Sequence, residues 1–121
     1  AEIYIPDTHY EPGTVVIIGG DKEITVTTKD HDTRVAGVIS TDPAYLMNSS
    51  VIGLPVALTG RVPCIVIGPV TKGDILVTSP LAGVAQRLID ERYRPGVVLG
   101  KSLETITGNE IKTIEIMVGR F

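Results

Sequence analysis

Apolar residues come along this chain in short runs of Val, Ile and Leu, cut by Gly, Pro, Asp and Asn. Thr14-Val-Val-Ile-Ile18 lies between Pro12-Gly13 and Gly19-Gly20-Asp21, and the Gly-Gly-Asp cluster suits the positive φ of a tight hairpin. Glu23-Ile-Thr-Val-Thr-Thr28 alternates apolar and polar, as a strand with one wet face should. Further strands are predicted over Arg34–Ile39, Pro55–Thr59, Val62–Ile67, Ile75–Thr78, Gly83–Gln86, Val97–Leu99 and Thr113–Val118. Val, Ile and Thr fit a pleated, half-buried surface, which is why these runs read as β.

Only two segments depart from that pattern. Asp42 can cap a helix and Pro43 suits its first position, so Pro43-Ala-Tyr-Leu-Met47 predicts one short helical turn. Arg87–Arg94 is the most charged stretch; a surface loop and one helical turn both suit it, and the loop is favoured because Pro95-Gly96 ends it abruptly. The predicted fold is therefore all-β: one compact barrel- or sandwich-like domain over residues 1–121, with about ten short strands and at most one or two helical turns. An internal echo runs through it. Pro12-Gly-Thr-Val-Val16 leads to Gly37-Val-Ile39, and Lys72-Gly-Asp-Ile-Leu76 leads to Gly96-Val-Val98; a duplicated β-unit and chance likeness of Gly-Val-rich strands both account for it, so it is a hint of pseudo-symmetry only.

Composition narrows the function. The 121 residues suffice for a single buried core, and 43% are hydrophobic, which opposes disorder. The net charge of -3, with Lys and Arg unclustered, gives no attraction to a phosphate backbone, so no nucleic-acid partner is expected. No apolar run is long enough for a membrane helix, and no charged start precedes an apolar segment as in a signal peptide. The chain opens on Ala1 rather than Met, as after processing or truncation. Its scattered aromatics, four Tyr and one Phe, make a poor stacking platform for sugars.

Candidate chemistry is thin. Cys64 is the single cysteine and lies in an apolar run, so it reads as a small buried hydrophobe rather than a thiolate ligand. His9 and His31 each have neighbouring carboxylates (Asp7, Asp30 and Asp32), but nothing in the sequence brings the two segments together as a metal site. Ser40, Ser79, Thr59 and Cys64 are available nucleophiles, and none sits in a recognisable elbow. Gly100-Lys-Ser102 lacks the loop of a phosphate-binding motif, and Asp90-Glu91 reads as a solvated run. No catalytic residue, metal or cofactor is assigned, and the protein is not expected to be an enzyme.

A family resemblance rests on ordered blocks across nearly the whole chain. They are Glu2-Ile-Tyr4, Tyr10-Glu-Pro-Gly-Thr-Val-Val16, Asp32–Asn48, Val56-Ala-Leu-Thr-Gly-Arg-Val-Pro63, Gly68-Pro-Val-Thr-Lys-Gly-Asp74 and Gly96–Glu104. These resemble the C-terminal module of virion structural and tail-fibre proteins of tailed phages, especially contractile-tailed cyanophages. More loosely, they resemble the autocleaving chaperone domain of phage neck appendages. The resemblance implies a virion location, a role in assembly or host attachment, and homotrimers. It also implies other virion proteins as partners, with a host-surface glycan as a further one; a chaperone or autoproteolytic terminus and a glycan-binding tip are the alternatives.

The apolar stretches Tyr45-Leu-Met47, Val51–Val56 and Leu81-Ala-Gly-Val84 exceed what loops of a small monomer need. Tyr45, Leu46, Met47, Val51 and Ile52 are the candidate subunit interface, because no charge lies among them and symmetric association would bury them.

Overall fold

A computed structural model describes residues 2–41 and 53–121. Ten strands follow one another: β1 Glu2–Tyr4, β2 Val15–Ile18, β3 Ile24–Thr25, β4 Val35–Ile39, β5 Leu54–Ala57, β6 Gly60–Ile67, β7 Ile75–Thr78, β8 Ala85–Arg87, β9 Gly100–Ser102 and β10 Ile111–Val118. Among the described residues the only helical element is a 3-10 turn, Asp90–Arg92. The all-β reading is therefore what the chain adopts.

The strands form two five-stranded sheets. The first has the order β1-β5-β4-β2-β3; the second closes into a barrel, β10-β6-β8-β7-β9. Read around the barrel from β6, that second order is β6-β10-β9-β7-β8, the first order repeated with each strand replaced by its counterpart five strands later. Register repeats as well. Glu2 faces Val56 and Val62 faces Ile116; Ile39 faces Val56 and Ser102 faces Ile116. Val16 faces Gly37 and Leu76 faces Gly100; Ile18 faces Ile24 and Thr78 faces Ala85. Even the closure recurs: β6 meets β8 through one parallel pair, Val66 with Ala85, and the first sheet curls to a single parallel bridge, Pro6 with Ile24. The chain is a tandem duplication of one β-unit.

Equivalent positions fill equivalent interiors. In the first unit Val16, Ile24, Ile39 and Val56 are buried with Tyr4, Leu54 and Leu58 packed against them. The counterparts Leu76, Ala85, Ile116, Cys64, Ile114 and Val118 line the barrel core, while that of Ile39 is the buried Ser102. The two units are not independent, however. Val15, Val38 and Ala57 lie side by side on the opposite face of the first sheet and join the second unit's core cluster. Each fully buried aliphatic side chain contributes roughly 1.5–3 kcal/mol relative to exposure, so this shared face holds the units together.

Several sequence expectations shift. Glu2–Tyr4 is a strand that the pattern did not flag. The strand expected at Val97–Leu99 lies instead at Gly100–Ser102, and Gly100 rather than Gly96 is the counterpart of Gly37. Side-chain pattern marked Val97 and Leu99 because both are buried, but the ladder to β10 needs a glycine where the strands come close. Arg87–Arg94 is not all loop, since β8 runs to Arg87 and a 3-10 turn follows. The predicted helical turn at Pro43–Met47 lies outside the described residues.

Candidate functional site

The densest polar arrangement lies at the seam between the units, in the loop that joins β3 to β4. Asp32 is almost wholly buried at its centre. Its Oδ1 accepts from the Arg34 backbone N–H at 2.9 Å and from Nε at 3.1 Å; its Oδ2 accepts from Thr27 Oγ1 at 2.8 Å and Arg34 Nη2 at 2.9 Å. The fork of the Arg34 guanidinium and these added donors hold the Asp32 carboxyl down at about 2, against the opposing effect of burial. Asp32 also ties across the seam: its N–H donates to Thr78 Oγ1 at 2.7 Å, and that hydroxyl donates to Lys29 O at 2.9 Å.

His31 is the second tie. It sits at φ 53 in the left-handed region, so the loop turns sharply there. Its N–H donates to Thr78 O, and its buried ring accepts the Ile89 N–H on Nε2 at 3.1 Å. Nε2 being an acceptor, the proton is on Nδ1, which donates to Asp30 Oδ2 at 2.7 Å. Arg92, on the 3-10 turn, completes the group at 3.3 Å from the same oxygen. The free nitrogen of His31 is thus engaged with the Ile89 N–H of the second unit, and the Asp32 carboxylate with Thr27 and Arg34 of its own loop. This arrangement fixes two units in one orientation.

Sequence reasoning singled out His31 and its carboxylate neighbours as a weak metal signal. The structure instead leaves His9 exposed beside Glu11 at 3.4 Å, apart from this group. Among the described residues no three His, Cys, Asp or Glu side chains converge on a common point. Thr78 and Arg34 were missed. The Asp-x-Arg spacing of Asp32 and Arg34 could have suggested a local fork, but nothing in sequence announces Thr78, which reaches the loop only through the fold.

The other candidates have structural employment. Ser79 Oγ donates to Val84 O at 2.6 Å and caps the turn to β8. Ser102 Oγ donates to Glu104 O at 2.6 Å. Cys64 is enclosed, and burial pushes its thiol far above the ordinary range. Ser40 donates its N–H to Pro55 O, Thr59 is exposed on the connection from β5 to β6, and Asp90 and Glu91 form the 3-10 turn. A second hydroxyl–carboxylate cluster joins Asp7, Tyr10 and Thr25 in the first unit; the two hydroxyls lower the Asp7 carboxyl.

An open groove of about 510 Å³ runs along one side of both units, lined by Tyr4, Ile18, Val35 and Leu58 from the first and Val98, Leu99 and Val118 from the second. Of the expected apolar patches, Pro55 and Val56 are buried inside the first unit and Leu81 is exposed. The candidate interface residues Tyr45, Leu46, Met47, Val51 and Ile52 lie outside the described residues. No known protein-family model matches the chain, and no curated protein matches it significantly.

Proposed function

We propose that this chain is a non-enzymatic structural module of a tailed-phage particle, part of a fibre or appendage, working as a homo-oligomer. The observation that carries the reading is the duplicated β-unit locked by a fully satisfied polar seam: its buried histidine, carboxylate and hydroxyls serve architecture. Such a block suits mechanical and assembly roles, in which orientation must be held rather than chemistry performed. The sequence blocks that resemble virion and fibre modules point the same way, to a virion location, self-association as a trimer and contact with other virion proteins.

Two measurements test it. Mass spectrometry of purified phage particles should find peptides of this chain in stoichiometric amounts; their absence from particles, with presence in the infected-cell lysate, would overturn the reading. Light scattering coupled to size exclusion should report three times the 12.9 kDa chain mass. Replacing Leu46 and Met47 with Asp should lower that mass, because a carboxylate desolvated in an interface without a partner is costly.

A further inference from the structure

The duplication makes the chain its own example of how one unit docks on another. In the intramolecular seam the first unit offers the face of Val15, Val38 and Ala57, buried to 2%, 0% and 8% exposure. The second unit answers with Ile65, Thr78 and Gly83: Ile65 N–H donates to Gly13 O at 3.0 Å, and Gly83 O accepts the Val15 N–H at 2.9 Å. This is a heterologous contact, two different surfaces of one repeated unit. Among the described residues, neither unit's reciprocal surface meets a further unit.

Those surfaces are apolar at most of the positions the register picks out; the exception is Lys101, whose ammonium lies 4.7 Å over the Phe121 ring. The counterparts of Val15, Val38 and Ala57 are Ile75, Lys101 and Met117, and Met117 is 42% exposed. The counterparts of Ile65 and Thr78 are Ile5 and Ile18, 37% and 51% exposed. Backbone groups match in part. A Cβ at Gly13 would touch Ile65 at 3.3 Å, whereas the equivalent Gly73, with nearly the same φ, has nothing within 4 Å. Ile5 N–H, the counterpart of the seam donor, is held by its own unit's Glu23 side chain at 2.8 Å.

We propose that a second copy of this chain docks head-to-tail, the face of Ile75, Lys101 and Met117 in one copy seating on the edge marked by Ile5 and Ile18 in the next. Repetition of the intramolecular contact continues the row of units, and a closed ring satisfies every copy. The proposal goes beyond the virion reading and rests on residues other than 45–52.

The test uses the whole chain in light scattering over a concentration series. Wild type should exceed the monomer mass. Met117→Glu and, separately, Ile5→Glu should each weaken self-association at least about tenfold, since each places a carboxylate in the contact. Their melting temperatures should stay near that of wild type; Ile18→Glu replaces Ile5→Glu if that variant unfolds. Tyr93→Ser, exposed elsewhere, should change nothing. Mixing Met117→Glu with Ile5→Glu should restore a dimer and no more, because one intact face of each kind remains. Monomeric wild type, unchanged assembly of both variants, or failure of the mixture to dimerise would each overturn the proposal. If Leu46→Asp with Met47→Asp dissociates the protein while Met117→Glu does not, this contact falls and the homo-oligomeric reading stands.

Discussion

Gly37 and Gly100 occupy one position in two copies of the same β-unit: each faces the middle of its unit's second strand, Val16 or Leu76, and each lies against a carbonyl of the last. A Cβ on Gly37 would overlap Ala57 O, and one on Gly100 would overlap Met117 O. The close approach lets three strands curl tightly enough to close a five-stranded unit, and side chains cannot be accommodated without moving backbone.

Gly37→Ala and Gly100→Ala are therefore expected to cost about 3 kcal/mol each, at the upper end for overpacking. Gly60→Ala, at φ 94 with open space around it, should cost only about 1 kcal/mol from backbone strain. Chemical denaturation of the three variants checks the contrast. Similar small losses at all three would sink the close-approach argument.

Removing the seam carboxylate should be severe. Asp32→Ala leaves Thr27, the loop backbone and Arg34 without their acceptor, with an expected loss of about 2–3 kcal/mol. The exposed position of Arg34 keeps the figure below that of a fully buried ion pair. Thermal melts at pH 7 give the measurement.

The same group sets an acid limit. The folded-state pKa of Asp32 is depressed to about 2 from 3.8, so its contribution is fully present above about pH 4 and is lost as pH falls through 2. Asp7, lowered by the Tyr10 and Thr25 hydroxyls, adds in the same direction. Wild-type stability should decline across that window, and Asp32→Asn should flatten the decline in part. An identical pH profile for the variant would remove Asp32 from the account.

His31 serves as both turn residue and acceptor. His31→Ala should lose more stability than His31→Asn, because Asn tolerates the left-handed backbone better although it too lacks the reach to the Ile89 N–H. Amide exchange at Ile89 should quicken in both variants; unaltered protection there would contradict the assigned bond.

Cys64 should be silent in the native state. Its thiol is buried and its pKa raised, so labelling by iodoacetamide at pH 8 should follow global unfolding rather than reagent concentration. Fast native-state labelling would show that the barrel opens locally.

Much of the local layer was legible in the residues: the runs at Val15–Ile18 and Ile75–Thr78 and the glycine-rich turns specify short strands, because side chains of that shape suit a pleat, whereas of the alternating Glu23–Thr28 only Ile24–Thr25 pairs as a strand. The Pro-Gly-Thr-Val-Val and Lys-Gly-Asp-Ile-Leu segments gave a hint of pseudo-symmetry that chance likeness of Gly-Val-rich strands explained nearly as well, and they misplaced the second glycine at 96. Tertiary structure alone decided which strands close each unit, that Val15, Val38 and Ala57 turn toward the second unit, and that Thr78 meets Asp32 and His31 across the seam. Pattern reports which positions want burial, whereas the partner that buries them is chosen by long-range pairing and packing, to which residue type at a single position contributes no address.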